Sequence, residues 1–192
     1  MLRTWIVEPD VWLAESLFSE NEAVRLFRAV DREAAWRTHV VRMFGRQIPS
    51  PRRTAWQSDE GVTYSYSGIT LESAPWTDAV MEIRLGVERA TGERFNSALI
   101  NKYRNGSDSM GWHADDEKEL GDEPLIASVS LGGARRFLLK HNETGERVDL
   151  VLPSGSLLVM GGRSQHFWKH ALPKTKKDVG SRINLTFRRI LG

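Results

Sequence analysis

Two hydrophobic rhythms divide the chain. Between residues 20 and 33, Ala23, Val24, Leu26, Phe27 and Val30 recur at helical spacing, and Ser19-Glu20-Asn21-Glu22 has the Ser-x-x-Glu form of a capping box. A helix from about 20 to 33 is therefore predicted. Pro75 as a first-turn residue and Gly92 as a terminator bracket a second helix, with Val80, Ile83 and Val87 on its inner face. After Phe95 the rhythm shortens to that of strands. Runs over Phe95–Arg104, Leu125–Leu131, Arg136–Lys140, Arg147–Leu152, Ser156–Met160, Gln165–Leu172 and Arg182–Ile190 are separated by Gly, Pro and Asn turns, among them Gly132-Gly133 and Pro153-Ser154-Gly155. Seven or more strands after two helices predict an α+β fold, a double-stranded β-helix (jelly roll) of two packed sheets backed by N-terminal helices. We expect one domain over 1–192, divided into a helical portion over about 1–94 and a jelly-roll core over about 95–192.

Composition narrows the chemistry. With 192 residues, 40% of them hydrophobic, the chain can bury a core without staples. It has no cysteine, which excludes zinc-thiolate sites, iron–sulfur clusters and thiol catalysis. Metal ligands must come from His, Asp and Glu. The first residues, Met1-Leu2-Arg3-Thr4-Trp5-Ile6-Val7-Glu8, lack the apolar run of a signal peptide, and no 18-residue apolar stretch occurs. A soluble, intracellular protein without membrane contact is expected. The net charge is +2, but the charges are segregated. From Arg42 to Arg53 there are four arginines and no acid, and from Arg163 to Arg189 eight basic residues against Asp178 alone. An acidic island over 115–123 separates them. Such an arrangement suits a polyanion held at its backbone while something cationic is received between the patches.

Within that island, His113-Ala114-Asp115 puts an imidazole and a carboxylate two residues apart, hence on one face of an extended backbone. A pair of this kind arises by chance about once in four chains of this composition, so it carries weight only with partners. A second histidine would complete a 2-His-1-carboxylate triad, the usual cradle of non-haem iron. His166 and His170 share a face of the run Gln165–Leu172, and either could serve. The last run, Arg182-Ile183-Asn184-Leu185-Thr186-Phe187-Arg188, has polar residues at every even position and apolar residues at every odd one. One face is core and the other is equipped for chemistry. Two guanidiniums on a central strand require internal carboxylates or an anionic ligand, and at ~3.3 Å per residue they could grip the ends of a short dicarboxylate.

The chain from about Phe44 onward resembles the AlkB-type Fe(II)- and 2-oxoglutarate-dependent dioxygenases. The resemblance is carried by Asn101-Lys102-Tyr103 with Gly106, His113-x-Asp115-Asp116-Glu117, Ile126-Ala127-Ser128-Val129-Ser130-Leu131-Gly132, His170-x-Leu172-Pro173 and Arg182-x-Asn184-Leu185-Thr186-Phe187-Arg188. It implies Fe(II) held by His113, Asp115 and His170, 2-oxoglutarate and O2 as co-substrates, and Asn101, Tyr103, Arg182, Thr186 and Arg188 around 2-oxoglutarate with Asn184 in support. The implied reaction is oxidative demethylation of N-alkylated bases such as 1-methyladenine and 3-methylcytosine in DNA repair, with release of formaldehyde, succinate and CO2. Tyr64 and Tyr66 would then belong to a cover over the target base, within about 1–94. Asp116 and Glu117 would favour a cationic lesion over a neutral base. Phe44 would be the finger that fills the gap left by a flipped nucleotide. Arg52, with Arg46, Arg53, Lys174, Lys176 and Lys177, would meet phosphates, and Trp56 would pack near the pocket mouth. Trp112 departs from the family pattern and could narrow the base pocket. The partner expected is alkylated DNA, with RNA or a protein side chain as alternative substrates and a non-catalytic nucleic-acid-binding jelly roll as the alternative function. A monomer is expected, cytoplasmic in a bacterium and nuclear in a eukaryote.

Overall fold

The computed structural model describes residues 1–38, 40–43, 46–66, 69–71 and 73–191, and side chains outside 39–49 and 64–72. Fifteen strands occur among them. Seven precede residue 95: β1 (Thr4–Val7), β2 (Val11–Ala14), β3 (Val40–Met43), β4 (Arg46–Pro49), β5 (Arg53–Ser58), β6 (Tyr64–Tyr66) and β7 (Ile69–Leu71). Eight follow: β8 (Ser97–Tyr103), β9 (Met110–His113), β10 (Ile126–Gly132), β11 (Arg135–His141), β12 (Arg147–Leu152), β13 (Ser156–Met160), β14 (Trp168–Leu172) and β15 (Arg182–Arg188). Helices α1 (Glu20–Glu33), α2 (Asp78–Thr91) and α3 (Ser164–Phe167) complete the set.

The eight later strands divide evenly between two sheets. The larger sheet runs β1-β2-β13-β10-β15-β8-β5 and the smaller β12-β11-β14-β9, so β8 to β15 contribute four strands to each. This is the expected jelly roll. The period-2 alternation explains why the larger sheet is buried on both faces. On β2, β8, β10, β13 and β15, one parity (Ala14, Ile100, Val129, Leu157, Leu185) faces a core shared with Leu26 and Val30 of α1 and Ile83 and Val87 of α2. The other parity (Leu13, Leu99, Ile126, Leu158) meets Phe137, Leu139 and Leu172 of the smaller sheet in a second core. Each fully buried aliphatic side chain contributes about 1.5–3 kcal/mol relative to exposure, so the two layers hold both faces of the sheet.

Several boundaries differ from the sequence reading. Helix α1 begins as expected, with Ser19 Oγ accepting from Glu22 N and Glu22 Oε2 accepting from Ser19 N at 2.9 Å. Helix α2 starts at Asp78, not in the turn containing Pro75, because Thr77 is the N-cap and donates its N–H to Gln57 Oε1 at 3.0 Å. Gly92 ends it in the left-handed conformation, φ 81°. Strands also occur before residue 95, where the sequence reading placed mainly helices. Two of these, β2 and β5, are built by pairing with β13 and β8, which lie far away in sequence. The run Gln165–Leu172 is not one strand: residues 164–167 form α3 and β14 begins at Trp168. The parity shared by His166 and His170 is thereby lost.

Candidate active site

The even face of β15 looks into the space between the sheets, and its neighbours are fixed by register. Arg182 pairs across to Tyr103 and Gly132, Asn184 to Asn101 and Ser130, and Thr186 to Leu99 and Ser128. From the opposite sheet, His170 of β14 stands across from His113 of β9. The pairing puts Asn101, Tyr103, Asn184 and Thr186 of one sheet and His113 and His170 of the other around a single cleft.

Among the described residues, one group of three is arranged to hold a metal ion: His113, Asp115 and His170, with ligand atoms within 4.8 Å of one another. The two imidazole centroids are 4.1 Å apart. Strand β9 ends at His113, so Asp115 comes from the loop just beyond it and is not a strand residue. His113 Nδ1 lies 2.9 Å from the Gly111 carbonyl. A carbonyl only accepts, so Nδ1 carries the hydrogen and Nε2 keeps its lone pair for a ligand. His170 is buried and stacks on Phe137 at 5.4 Å. Burial, then the nearness of His113, pushes its imidazole down to about 3, so it is neutral at physiological pH as a metal ligand must be. Asp115 donates its backbone N–H to Gln165, and its Oδ1 accepts from Arg188 Nη2 at 2.7 Å. Burial alone would raise the Asp115 carboxyl, but the Arg188 guanidinium, with His170 and His113, holds it below the usual carboxylate range.

Arg188 is thus engaged with a metal-ligand carboxylate, and the two ends of β15 do different work. Arg182 is 0% exposed. Its Nη2 donates to Ser130 Oγ at 2.8 Å and Asn184 Oδ1 at 3.1 Å, while Nε and Nη1 have no hydrogen-bond partner among the described residues. Burial pushes this guanidinium down to about 10, with Tyr103 opposing and Arg135 reinforcing the shift. Two buried N–H groups without acceptors are costly, and a carboxylate arriving beside Tyr103 would satisfy both. The residues present therefore fit a divalent metal and an anionic keto acid. Asn101 is oriented for the same purpose: its Oδ1 accepts from Arg52 Nε at 2.8 Å, which leaves its amide N–H₂ to donate.

Other expected residues fall elsewhere. Arg52 is buried and lines the cleft, so it is not an outward phosphate contact. It lies just before β5, and its Nε donates to Asn101 Oδ1, which holds it inward. Lys174, Lys176 and Lys177 are exposed, and Trp56 is packed in the inter-sheet core. Trp112 is 44% exposed and does not line the cleft, because its position next to His113 on β9 puts it on the opposite face. His166 sits on α3, where its Nε2 meets the Asp122 carbonyl. Asp116 is exposed beside the triad, and Glu117 has a buried Oε2 without a hydrogen-bond partner among the described residues. Tyr64 and Tyr66 belong to β6, paired with β7, and their side chains lie outside the described residues. Phe44 also lies outside them. Ser128 and Ser130, which support Asn184 and Arg182, were not anticipated, although their even positions in an apolar run mark them as inward polar groups.

The chain matches the model of the 2OG-Fe(II) oxygenase superfamily over residues 10–188. It is 40% identical over 186 residues to the mouse protein named DNA oxidative demethylase ALKBH2, covering 91% of this chain and 78% of that one. It is 37% identical over 190 residues to the bovine protein named alpha-ketoglutarate-dependent dioxygenase alkB homolog 3, covering 94% of this chain and 66% of that one. Among solved structures, OsALKBH1 superposes with a TM-score of 0.69 at 20% identity, over 96% of this chain and 100% of that chain. That last likeness concerns the fold.

Proposed function

This chain belongs to the 2OG-Fe(II) oxygenase superfamily, in its AlkB-type branch, and on that footing we propose that it demethylates N-alkylated DNA bases oxidatively in DNA repair. The bases are of the 1-methyladenine and 3-methylcytosine type. The observation that carries the reading is the juxtaposition of two donor sets: the His113–Asp115–His170 group in the cleft and, buried beside the cleft-lining Asn184, the Arg182 guanidinium, whose Nε and Nη1 have no hydrogen-bond partner among the described residues.

His113, Asp115 and His170 would hold Fe(II), which with 2-oxoglutarate and O2 would supply the oxidation of an N-methyl group to formaldehyde, with the demethylated base, succinate and CO2 as the other products. The chain's own groups prepare that step. His113 presents Nε2 because Nδ1 is tied to Gly111, and His170 needs no deprotonation. Arg188 keeps the Asp115 carboxylate ionised and oriented. Arg182, with Tyr103, Asn101, Asn184 and Thr186, would hold 2-oxoglutarate, the guanidinium supplying charge and the unpartnered donors Nε and Nη1. With three protein ligands, a metal held there would keep room for co-substrates. Asp116 and Glu117, adjacent to the triad, would favour a base that bears positive charge, as 1-methyladenine and 3-methylcytosine do.

The test is formaldehyde release, followed by mass spectrometry of the base, from methylated single-stranded DNA, duplex DNA and RNA. Product is expected on DNA only when both Fe(II) and 2-oxoglutarate are supplied, and none is expected from His113→Ala. Full activity of His113→Ala, or turnover without 2-oxoglutarate, would refute the reading. Exclusive action on RNA would move the substrate class and leave the chemistry standing.

A further inference from the structure

Helix α3 leads directly into the strand that carries His170, and one of its side chains reaches the loop that carries Asp115. Gln165 is 3% exposed, and its Oε1 accepts the Asp115 backbone N–H at 2.9 Å across 50 residues of sequence. A backbone N–H only donates, so this contact fixes which end of the amide faces Asp115, and Nε2 is left to donate to Ser164 Oγ at 3.3 Å. With β9 ended at His113, the Asp115 N–H has no place in the ladder, and Gln165 takes the role of the missing strand. The next residue of α3 adds a second tie, His166 Nε2 to the Asp122 carbonyl. The acidic segment is therefore clipped to α3 at two points. Gln165 does not line the cleft and carries no charge, so neither substrate nor co-substrate accounts for its burial there.

We propose that Gln165 is a positioning residue of the metal site: it fixes the backbone of Asp115 relative to His170, so that two ligands from distant segments approach an ion as a preformed pair. This rests on the reading of His113, Asp115 and His170 as ligands. Partners of metal ligands typically contribute about 10- to 100-fold in metal affinity. Gln165 acts on the ligand's main chain, where a shift moves the whole residue.

The experiment titrates Co(II), whose visible absorption reports coordination geometry, into the full chain and into Gln165→Met and Gln165→Glu. Met matches the length of Gln without its acceptor, and Glu keeps an acceptor oxygen. Metal-free thermal midpoints are recorded in parallel. Gln165→Met is expected to lose about 10- to 100-fold in Co(II) affinity and to alter the absorption band, and Gln165→Glu to recover both. If the unsubstituted chain fails to bind Co(II), the ligand reading falls and this proposal with it. If that chain binds Co(II) and Gln165→Met binds it equally with the same band, the positioning role alone is refuted. Equal losses in both variants with lowered metal-free midpoints would make Gln165 a packing residue, which also overturns the proposal.

Discussion

Removing the Arg188 side chain tests how the site holds a carboxylate before metal arrives. Arg188 Nη2 and Asp115 Oδ1 are 2.7 Å apart, and both side chains are 3% exposed. At that distance the gross attraction is roughly 6 kcal/mol for an effective dielectric of about 20, most of it offset by the desolvation of two buried ions. Arg188→Met retains much of the volume but leaves Asp115 charged and buried with its main counter-charge gone. Breaking one side of a buried pair typically destabilises by about 3–5 kcal/mol. For a chain of this size that lowers the melting midpoint by roughly 6–20 °C. A divalent ion at His113, Asp115 and His170 supplies a replacement charge, so the gap between Arg188→Met and the unsubstituted protein should narrow when both are saturated with Mn(II). Asp115→Asn added to Arg188→Met should raise the metal-free midpoint above that of the single variant, because no uncompensated charge is left. Differential scanning calorimetry at pH 7 measures all five midpoints. A metal-free midpoint within about 2 °C of the unsubstituted protein, or a gap unchanged by Mn(II), would refute the account of Arg188 as the counter-charge of Asp115.

The remaining predictions concern the co-substrate, acid stability and packing. Arg182→Met removes the buried donors Nε and Nη1 and should raise the KM for 2-oxoglutarate by about 100-fold or more while Co(II) affinity stays within about threefold, since a charge-assisted bidentate contact is lost but no metal ligand. An unchanged KM would place the keto acid elsewhere. The His170 imidazole, held down to about 3 by burial and by His113, binds its proton more weakly in the folded than in the unfolded chain, whose ordinary value is 6.5. Between these values the unfolded state binds the extra proton, so the metal-free protein should lose stability as pH falls from 6.5 towards 3, by up to about 1.4 kcal/mol per unit from this group. His170→Gln should flatten that slope in urea titrations run across the window, and an unaltered slope would contradict the assignment. Gly106→Ala should be strongly destabilising in thermal melts, because a Cβ there would lie 2.4 Å from the Thr175 backbone oxygen. A melting midpoint equal to that of the unsubstituted chain would show that the 105–108 and 173–177 loops move apart freely.

How much of this was legible beforehand depended on whether a signal was local. The capping box at Ser19, the apolar stripe of α1 and the even–odd split of Arg182–Arg188 are local, and each appears as read. The motifs also singled out His113, Asp115 and His170, which the fold brings together, because a family resemblance stores three-dimensional proximity as spacing. Periodicity alone left His166 and His170 tied, and the tie is broken physically by α3, a single turn that takes His166 out of the strand. Strands β2 and β5 were illegible because their short runs become strands only by pairing with β13 and β8. Arg52 illustrates the same limit: a guanidinium in a basic stretch reads as a phosphate contact, yet it is buried against Asn101.

By itself, then, the sequence determined which faces are apolar, which residue types are available to ligate a metal, and that β15 must meet an anion with its polar side. Tertiary structure decided which anion meets which guanidinium. Arg188 is matched to Asp115 across 73 residues and Arg182 keeps two donors without partners among the described residues, although the two occupy the same face of one strand. Chain pattern sets the parity of a side chain, whereas its partner is set by register between strands and by the loop that follows β9. Those depend on packing over the whole of both sheets.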